Sequence, residues 1–331
     1  MAGRRVLVMG ASGFVGSHVT RAFVEDGDDV RVFLRRTSRT EGIDDLDVER
    51  HHGDLTDADA VRAAMTGCDV VCYCVVDTRF TLRDPAPLFA TNVDALRHVL
   101  DVAVTMGLSR FVFCSTIGTI ALAPPGRRAT EDMPVDWAGG AYIASRRRAE
   151  DMVLRYAEER GLPAVALCVS TPYGPLDFQP HQGLLIRAAA RGRMPVYVRG
   201  VSAEVVGISD VARAFVLAAE RGRPGARYIV SESYLPMRDL LAIAAEEVGA
   251  RPPRIGVPLP VVYAVAWLLD VASRLLGREP PLTVTGVRLM HVMSPADHAK
   301  ATRELGWQPR PVAEAIRAAA RFHRDARGSA T

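Results

Sequence analysis

Tyr142 and Arg146 stand four positions apart in Tyr142-Ile143-Ala144-Ser145-Arg146, and on a helix that spacing puts both side chains on one face. A phenol has a reference pKa of about 10, too high for easy acid–base work near neutrality. A fixed cation one turn away favours the phenolate and lowers that value. Tyr142 could then give a proton to a carbonyl oxygen or take one from an alcohol. A hydroxyl from Thr116 or Ser115, which follow the apolar run Phe111-Val112-Phe113-Cys114, could hydrogen-bond the same oxygen. Alone, a Tyr and an Arg so spaced commonly form a solvated surface pair. The pairing gains weight from a second motif.

That motif is Gly10-Ala11-Ser12-Gly13-Phe14-Val15-Gly16, entered from the apolar run Val6-Leu7-Val8-Met9. From Ser17 to Glu25 the residues Val19, Ala22 and Phe23 fall on one face at helical spacing, and Gly27 closes the segment. Strand, glycine turn and helix together place a pyrophosphate on a helix N-terminus. Gly10 permits the turn, Gly13 lets the backbone approach phosphate, and Gly16 lets the helix pack closely. The next apolar run, Val30 to Leu34, ends at Leu34-Arg35-Arg36-Thr37-Ser38-Arg39, with no carboxylate until Glu41. An acidic residue about 20 positions after the turn would bind the ribose hydroxyl of NAD. Arg35 instead suits the 2′-phosphate of NADP, so NADP(H) is favoured over NAD(H).

Strand signals then alternate with helical ones: Val48 to His51, Val70 to Val76, Phe111 to Cys114 and Val165 to Val169 as strands. Helices are expected from Thr56, with Asp59 in a capping-box pattern, from Leu88 to Met106, and from Tyr142 to Arg160. This alternation predicts an α/β fold, a Rossmann-like doubly wound parallel sheet whose ligands bind at the carboxyl ends of the strands. Pro172, Pro175 and Pro180 mark an irregular stretch, and a helical segment follows at Leu184 to Arg191. Ile208 to Glu220 and Tyr228 to Val230 read as a return to the sheet. The expected division is a dinucleotide-binding domain of residues 1–171, rejoined by 201–235. A smaller, mostly helical C-terminal substrate domain takes 172–200 and 236–331, with proline-rich breaks at 252–260 and 280–281.

Composition narrows the classes. Hydrophobic residues make up 49% and charged residues 24% of 331, the balance of a globular protein. A net charge of +3, well interspersed, argues against nucleic acid. Arg4 and Arg5 run straight into a strand, so no signal peptide is expected. Val257 to Leu269 is apolar but shorter than the roughly 20 residues a spanning helix needs. It reads best as a buried helix, the alternative being a membrane-facing helix or a lid over a hydrophobic substrate. Five cysteines, most in or beside apolar strands, read as core packing in a reducing, cytoplasmic setting. The histidines lack metal-ligand spacing, and no metal is expected. Lys300 is the single lysine among 41 basic residues.

The chain resembles the extended short-chain dehydrogenase/reductase family over essentially its whole length. The matching pieces are the Gly10–Gly16 turn, Gly53-Asp54-Leu55, Thr91-Asn92-Val93, Cys114-Ser115-Thr116, Tyr142 with Ser145-Arg146 and Ala149-Glu150, and Ser170 to Pro175. Later matches are Gly192 to Pro195, Gly207 to Ala212 and Glu304 to Trp307. It is similar to the dihydroflavonol-reductase-like and 3β-hydroxysteroid-dehydrogenase-like branch, including members labelled hopanoid-associated sugar epimerases. The resemblance implies a hydroxyl–tyrosine–lysine triad at Thr116, Tyr142 and Arg146, with arginine in the lysine position. It implies that Asp54 and Leu55 flank the adenine, that Val75 and Val76 line the cofactor, and that Val169 to Thr171 lie near the nicotinamide. It also implies a homodimer built from the Leu88–Met106 and Tyr142–Arg160 helices. The expected activity is NADPH-dependent reduction of a carbonyl on a fairly hydrophobic small molecule. The alternatives are a sugar epimerase or dehydratase, with Arg187, Arg191 and Arg193 on the diphosphate, and a non-catalytic dinucleotide sensor.

Overall fold

A computed structural model describes residues 3–79, 84–135, 137, 139–178, 183–276 and 282–325. The expected breaks at Pro180 and at 280–281 lie outside these residues. In chain order the elements are β1 (Arg5–Met9), α1 (Phe14–Glu25), β2 (Asp29–Leu34), β3 (Glu49–His52), α2 (Ala58–Met65) and β4 (Val70–Tyr73). Then come α3 (Ala86–Phe89), α4 (Ala95–Ala103), β5 (Arg110–Thr116), α5 (Gly140–Arg160), β6 (Ala164–Val169), β7 (Thr171–Tyr173) and α6 (Gly183–Ala190). They are followed by β8 (Val196–Val198), β9 (Ser202–Gly207), α7 (Ile208–Arg221), β10 (Arg227–Val230), β11 (Ser233–Pro236) and α8 (Met237–Glu247). The chain closes with β12 (Ile255–Val257), α9 (Leu259–Leu276), α10 (Val284–His291), α11 (Ala299–Leu305) and α12 (Val312–Asp325).

Seven parallel strands form the central sheet in the order β10-β6-β5-β4-β1-β2-β3. The chain starts in the middle, at β1, and winds outward in both directions, so a crevice opens where β1 and β4 part at their carboxyl ends. Interior strands have no wet face, and β4 and β6 are buried at every residue. In β1 the alternation still sorts residues by layer. Val6 and Val8 pack with Val19 and Phe215 toward α1 and α7, while Leu7 and Met9 pack with Val61, Leu96 and Val153 toward α2, α4 and α5. A third core joins Tyr173, Ile186, Leu240, Leu241 and Ile316 from β7, α6, α8 and α12. Smaller sheets pair β11-β9-β7 and β12-β8.

Four local expectations need correction. The fourth strand ends at Tyr73 rather than Val76, which leaves Val75 and Val76 in an open segment. Helix α2 is capped by Asp57, whose carboxylate accepts from Asp59 N and Ala60 N, because the Thr56 hydroxyl is already donated to Asp54 Oδ1 at 2.6 Å. The Leu88–Met106 helix is interrupted by a π turn at Ala90–Asp94. Finally, the apolar run at 257–269 is not a buried helix. Val257 ends β12, and from Leu259 the run lies in α9, where Trp267 is 59% and Leu268 58% exposed.

Candidate active site

The glycine turn is shaped by contacts that leave no room for side chains. Gly10 has φ +86, and a Cβ there would meet the Cys74 carbonyl carbon at 2.8 Å and Val75 N at 2.9 Å. A Cβ on Gly16 would lie 2.1 Å from the Gly10 carbonyl oxygen, so the helix presses on the turn itself. Gly13 differs, since a Cβ would meet only Gly10 O, at an ordinary 3.4 Å. No contact within the protein asks for glycine at 13; a ligand approaching the backbone would. Helix α1 begins there with no side-chain cap and no acidic residue in its first turn. The amides of Phe14, Val15 and Gly16 precede the first helical bond, from Ser17 N to Gly13 O, and so lack a helical acceptor. An uncapped, uncompensated N-terminus of this kind attracts an anion, and the cradle fits a dinucleotide diphosphate.

The rim residues surround this cradle. Val75 and Val76 leave β4 against Gly10, and Val76 is exposed. Arg35 and Arg36 are exposed just beyond β2, while Arg39 is occupied by Glu41 at 2.8 Å. The Asp54 carboxylate accepts from the backbone and hydroxyl of Thr56, which holds it below the usual carboxylate range. Leu55 packs beside it on the α2 side of the sheet.

Strand β5 and helix α5 carry the residues expected to do acid–base work. Thr116 ends β5 directly opposite Val169 of β6, and Thr171 follows in β7. The Thr116 hydroxyl faces the phenol of Tyr142 and favours its phenolate. Ser115 points the other way, donating to the buried carboxylate of Glu150. That carboxylate also accepts from Thr119 Oγ1 at 2.8 Å and pairs with Arg227 Nη1 at 2.8 Å, so Ser115 belongs to a structural cluster. Between the two hydroxyls the expectation left open, the structure brings only Thr116 to Tyr142.

Arg146 is 2% exposed. It lies over the Phe113 ring, with the guanidinium carbon 4.9 Å from the ring centre, and Nη2 donates to the Cys114 carbonyl. Its Nη1 is buried with no hydrogen-bond partner in the protein. A buried orphan donor is costly, and a ligand hydroxyl or phosphate oxygen would satisfy it. Arg146 lowers the Tyr142 pKa as the spacing implies, yet burial outweighs it and the phenol is pushed up overall. The sequence carried the sign of the pair but not of the sum.

Asn92, in the motif Thr91-Asn92-Val93, takes a structural role. It sits fully inside the π turn, accepting from Asp77 N at 2.8 Å and donating to Asp77 O and Ser145 Oγ, each at 3.0 Å. Ser145 in turn donates to the carbonyl of Tyr142. Asn92 thus ties the segment after β4 to the first turn of α5. The widened turn reaches both, a common use of π turns at working sites. Arg187 and Arg191 of the proposed diphosphate trio face His323, while Arg193 is exposed beyond α6.

The parallel sheet and its glycine turn define an α/β protein of the dinucleotide-binding type. Residues 6–231 match the model of the NAD dependent epimerase/dehydratase family, and the chain belongs to that family. It is 31% identical over 93% of its length to a putative dihydroflavonol 4-reductase of Synechocystis sp., covering 91% of that protein. It is 30% identical over 92% of its length to sterol demethylase protein B of Methylococcus capsulatus, covering 93% of that one. Among solved structures, that of gox2253 superposes with a TM-score of 0.86 at 33% identity, covering 98% of this chain and 99% of the other. The protein is therefore an NAD(P)-dependent enzyme of the extended short-chain dehydrogenase/reductase type.

Proposed function

We propose that the protein reduces a ketone or aldehyde on a hydrophobic, ring-bearing small molecule, using NADPH. The observation that carries this reading is that Tyr142 and Arg146 of α5 meet Thr116 at the carboxyl end of β5, in the same parallel sheet as the β1 strand that leads into the glycine turn. When bound, the dinucleotide supplies the hydride. The cradle of Gly10, Ser12, Gly13, Phe14, Val15 and Gly16 holds its diphosphate, and Arg35 pairs with the 2′-phosphate. Asp54 and Leu55 flank the adenine, Val75 and Val76 line the crevice, and Val169 and Thr171 border the nicotinamide. Arg146 offers Nη1 to a ribose oxygen.

Tyr142 gives its phenolic proton to the substrate oxygen while the Thr116 hydroxyl donates to that oxygen as charge develops. Burial keeps Tyr142 protonated at neutral pH, the state that a proton donor needs. Arg146 then stabilises the phenolate left behind. The similarity to a putative dihydroflavonol 4-reductase and to sterol demethylase protein B supports a rigid apolar substrate. The separate core around Tyr173, Ile186 and Leu240 supports taking 172–200 and 236–331 as the substrate side, with 201–235 returning to residues 1–171. Free cysteines throughout the described chain suit a cytoplasmic setting.

The test is oxidation of NADPH, with NADH beside it, over a panel of cyclic and aryl ketones and aldehydes. Tyr142→Phe should lose turnover by about 100-fold or more while still binding NADPH. Tight NADPH binding with no turnover on the panel would refute the reductase.

A further inference from the structure

Helix α9 wears its apolar side outward. Val261, Val265 and Leu268 recur at helical spacing on one exposed face, with Trp267 beside them. Two of its polar residues turn inward: Ser273 is buried, and Asp270 accepts from Val284 N at the start of α10. Ile255 and Val196, paired across β12 and β8, continue the exposed apolar surface at the helix's entry, with Ile255 61% exposed.

Positive charge rings that entry. Arg199 Nε donates to the carbonyl of Gly256, and Arg254 N donates to Pro195 O. A Cβ on Gly192 would touch that of Ala250, which sets Arg193 next to Arg251. All four arginines are exposed, and none pairs with a described carboxylate. The sequence has no Asp or Glu in 178–203 or 248–269. Among the described residues no helix is long and apolar enough to cross a membrane.

From this combination we infer that α9 and the β8–β12 edge dock on the surface of an anionic lipid bilayer. An apolar helix face with a tryptophan, bordered by arginines, lies in the headgroup plane with its apolar side down and its cations on the phosphates. A second copy packed with its α9 parallel on the same face is disfavoured, since it would bring the arginine clusters together. The inference is independent of the reaction catalysed, and its test needs no turnover.

The full chain is floated with phosphatidylcholine vesicles with and without phosphatidylglycerol, at low and high salt, with tryptophan emission followed in parallel. Wild type should bind only the phosphatidylglycerol vesicles, lose binding as salt rises, and show a blue shift from Trp267. The pairs Trp267→Ser with Leu268→Ser, and Arg251→Glu with Arg254→Glu, should each weaken binding at least about tenfold while NADPH binding and thermal melting hold. If a variant fails to fold, quenching of wild-type tryptophan by brominated lipid decides the matter. No binding at low salt, equal binding to neutral vesicles, or binding unchanged in folded variants overturns the inference. So does a concentration-dependent dimer, broken by the α9 pair, without affinity for vesicles.

Discussion

The guanidinium of Arg146 rests 4.9 Å from the ring centre of Phe113, while Nη2 donates to the next residue's carbonyl on β5. A lysine ammonium could neither stack flat on that ring nor hold the strand while offering a second nitrogen elsewhere. The strand thus fixes one end of the fork, and the other end, Nη1, is left without a partner in the protein.

Arg146→Met should lower kcat/KM by about 100-fold or more. It should also move the Tyr142 limb of the pH profile for alcohol oxidation to higher pH. The sign follows from the two opposing influences: burial raises the phenol pKa, Arg146 lowers it, and the substitution removes only the second. Arg146→Lys keeps the charge and should leave the limb near its wild-type place while weakening NADPH binding. A limb unmoved in Arg146→Met would show that the cation does not act on the tyrosine.

Thr116 and Ser115 are neighbours with opposite fates. Thr116→Val should cut kcat roughly 10- to 100-fold with little change in the urea midpoint. Ser115→Ala removes a hydrogen bond to the buried carboxylate of Glu150 and should cost about 1.5–3 kcal/mol of stability while leaving kcat near wild type. Steady-state kinetics and urea unfolding on both variants separate the two roles. The opposite pattern would exchange them.

These distinctions show what a sequence holds and what it does not. The strand–turn–helix at 5–25 and the shared face of Tyr142 and Arg146 were legible because they rest on local spacing. The left-handed Gly161 that ends α5 was legible too, with φ +68. The break at 90–94 was not, because it serves Asn92, which reaches Asp77 and Ser145 in other elements. The α2 cap shifted by one residue because Asp54 competes for Thr56. The apolar content of 257–269 pointed to a helix but could not say that its apolar side lies exposed. The net pKa of Tyr142 depends on burial summed over the folded chain, which no motif records.

Arg35→Ala should raise the Kd for NADPH by about tenfold or more, the loss of one charge-assisted contact to phosphate, and leave that for NADH unchanged. Fluorescence titration with both dinucleotides measures it. An equal loss for the two would mean that the arginine shapes the loop rather than reading the phosphate.

Asp177 and His323 are buried near one another, where Phe178 meets Phe322 edge-on at 5.3 Å and Arg187 acts on both. Burial pushes Asp177 up from 3.8 to about 6 and His323 down from 6.5 to about 4. The raised carboxyl holds its proton in the folded chain after the unfolded chain has released it. Its contribution is full at acid pH and is lost as pH climbs through about 6. The depressed imidazole contributes above 6.5 and is lost as pH falls through about 4. Across that interval the two slopes oppose and nearly cancel. Relative to wild type, Asp177→Asn should lose stability on acidification by roughly 2–3 kcal/mol, and His323→Gln should gain about as much. Urea midpoints taken at intervals across the range measure both differences. Parallel curves for all three proteins would mean that neither group titrates between its folded and unfolded values there.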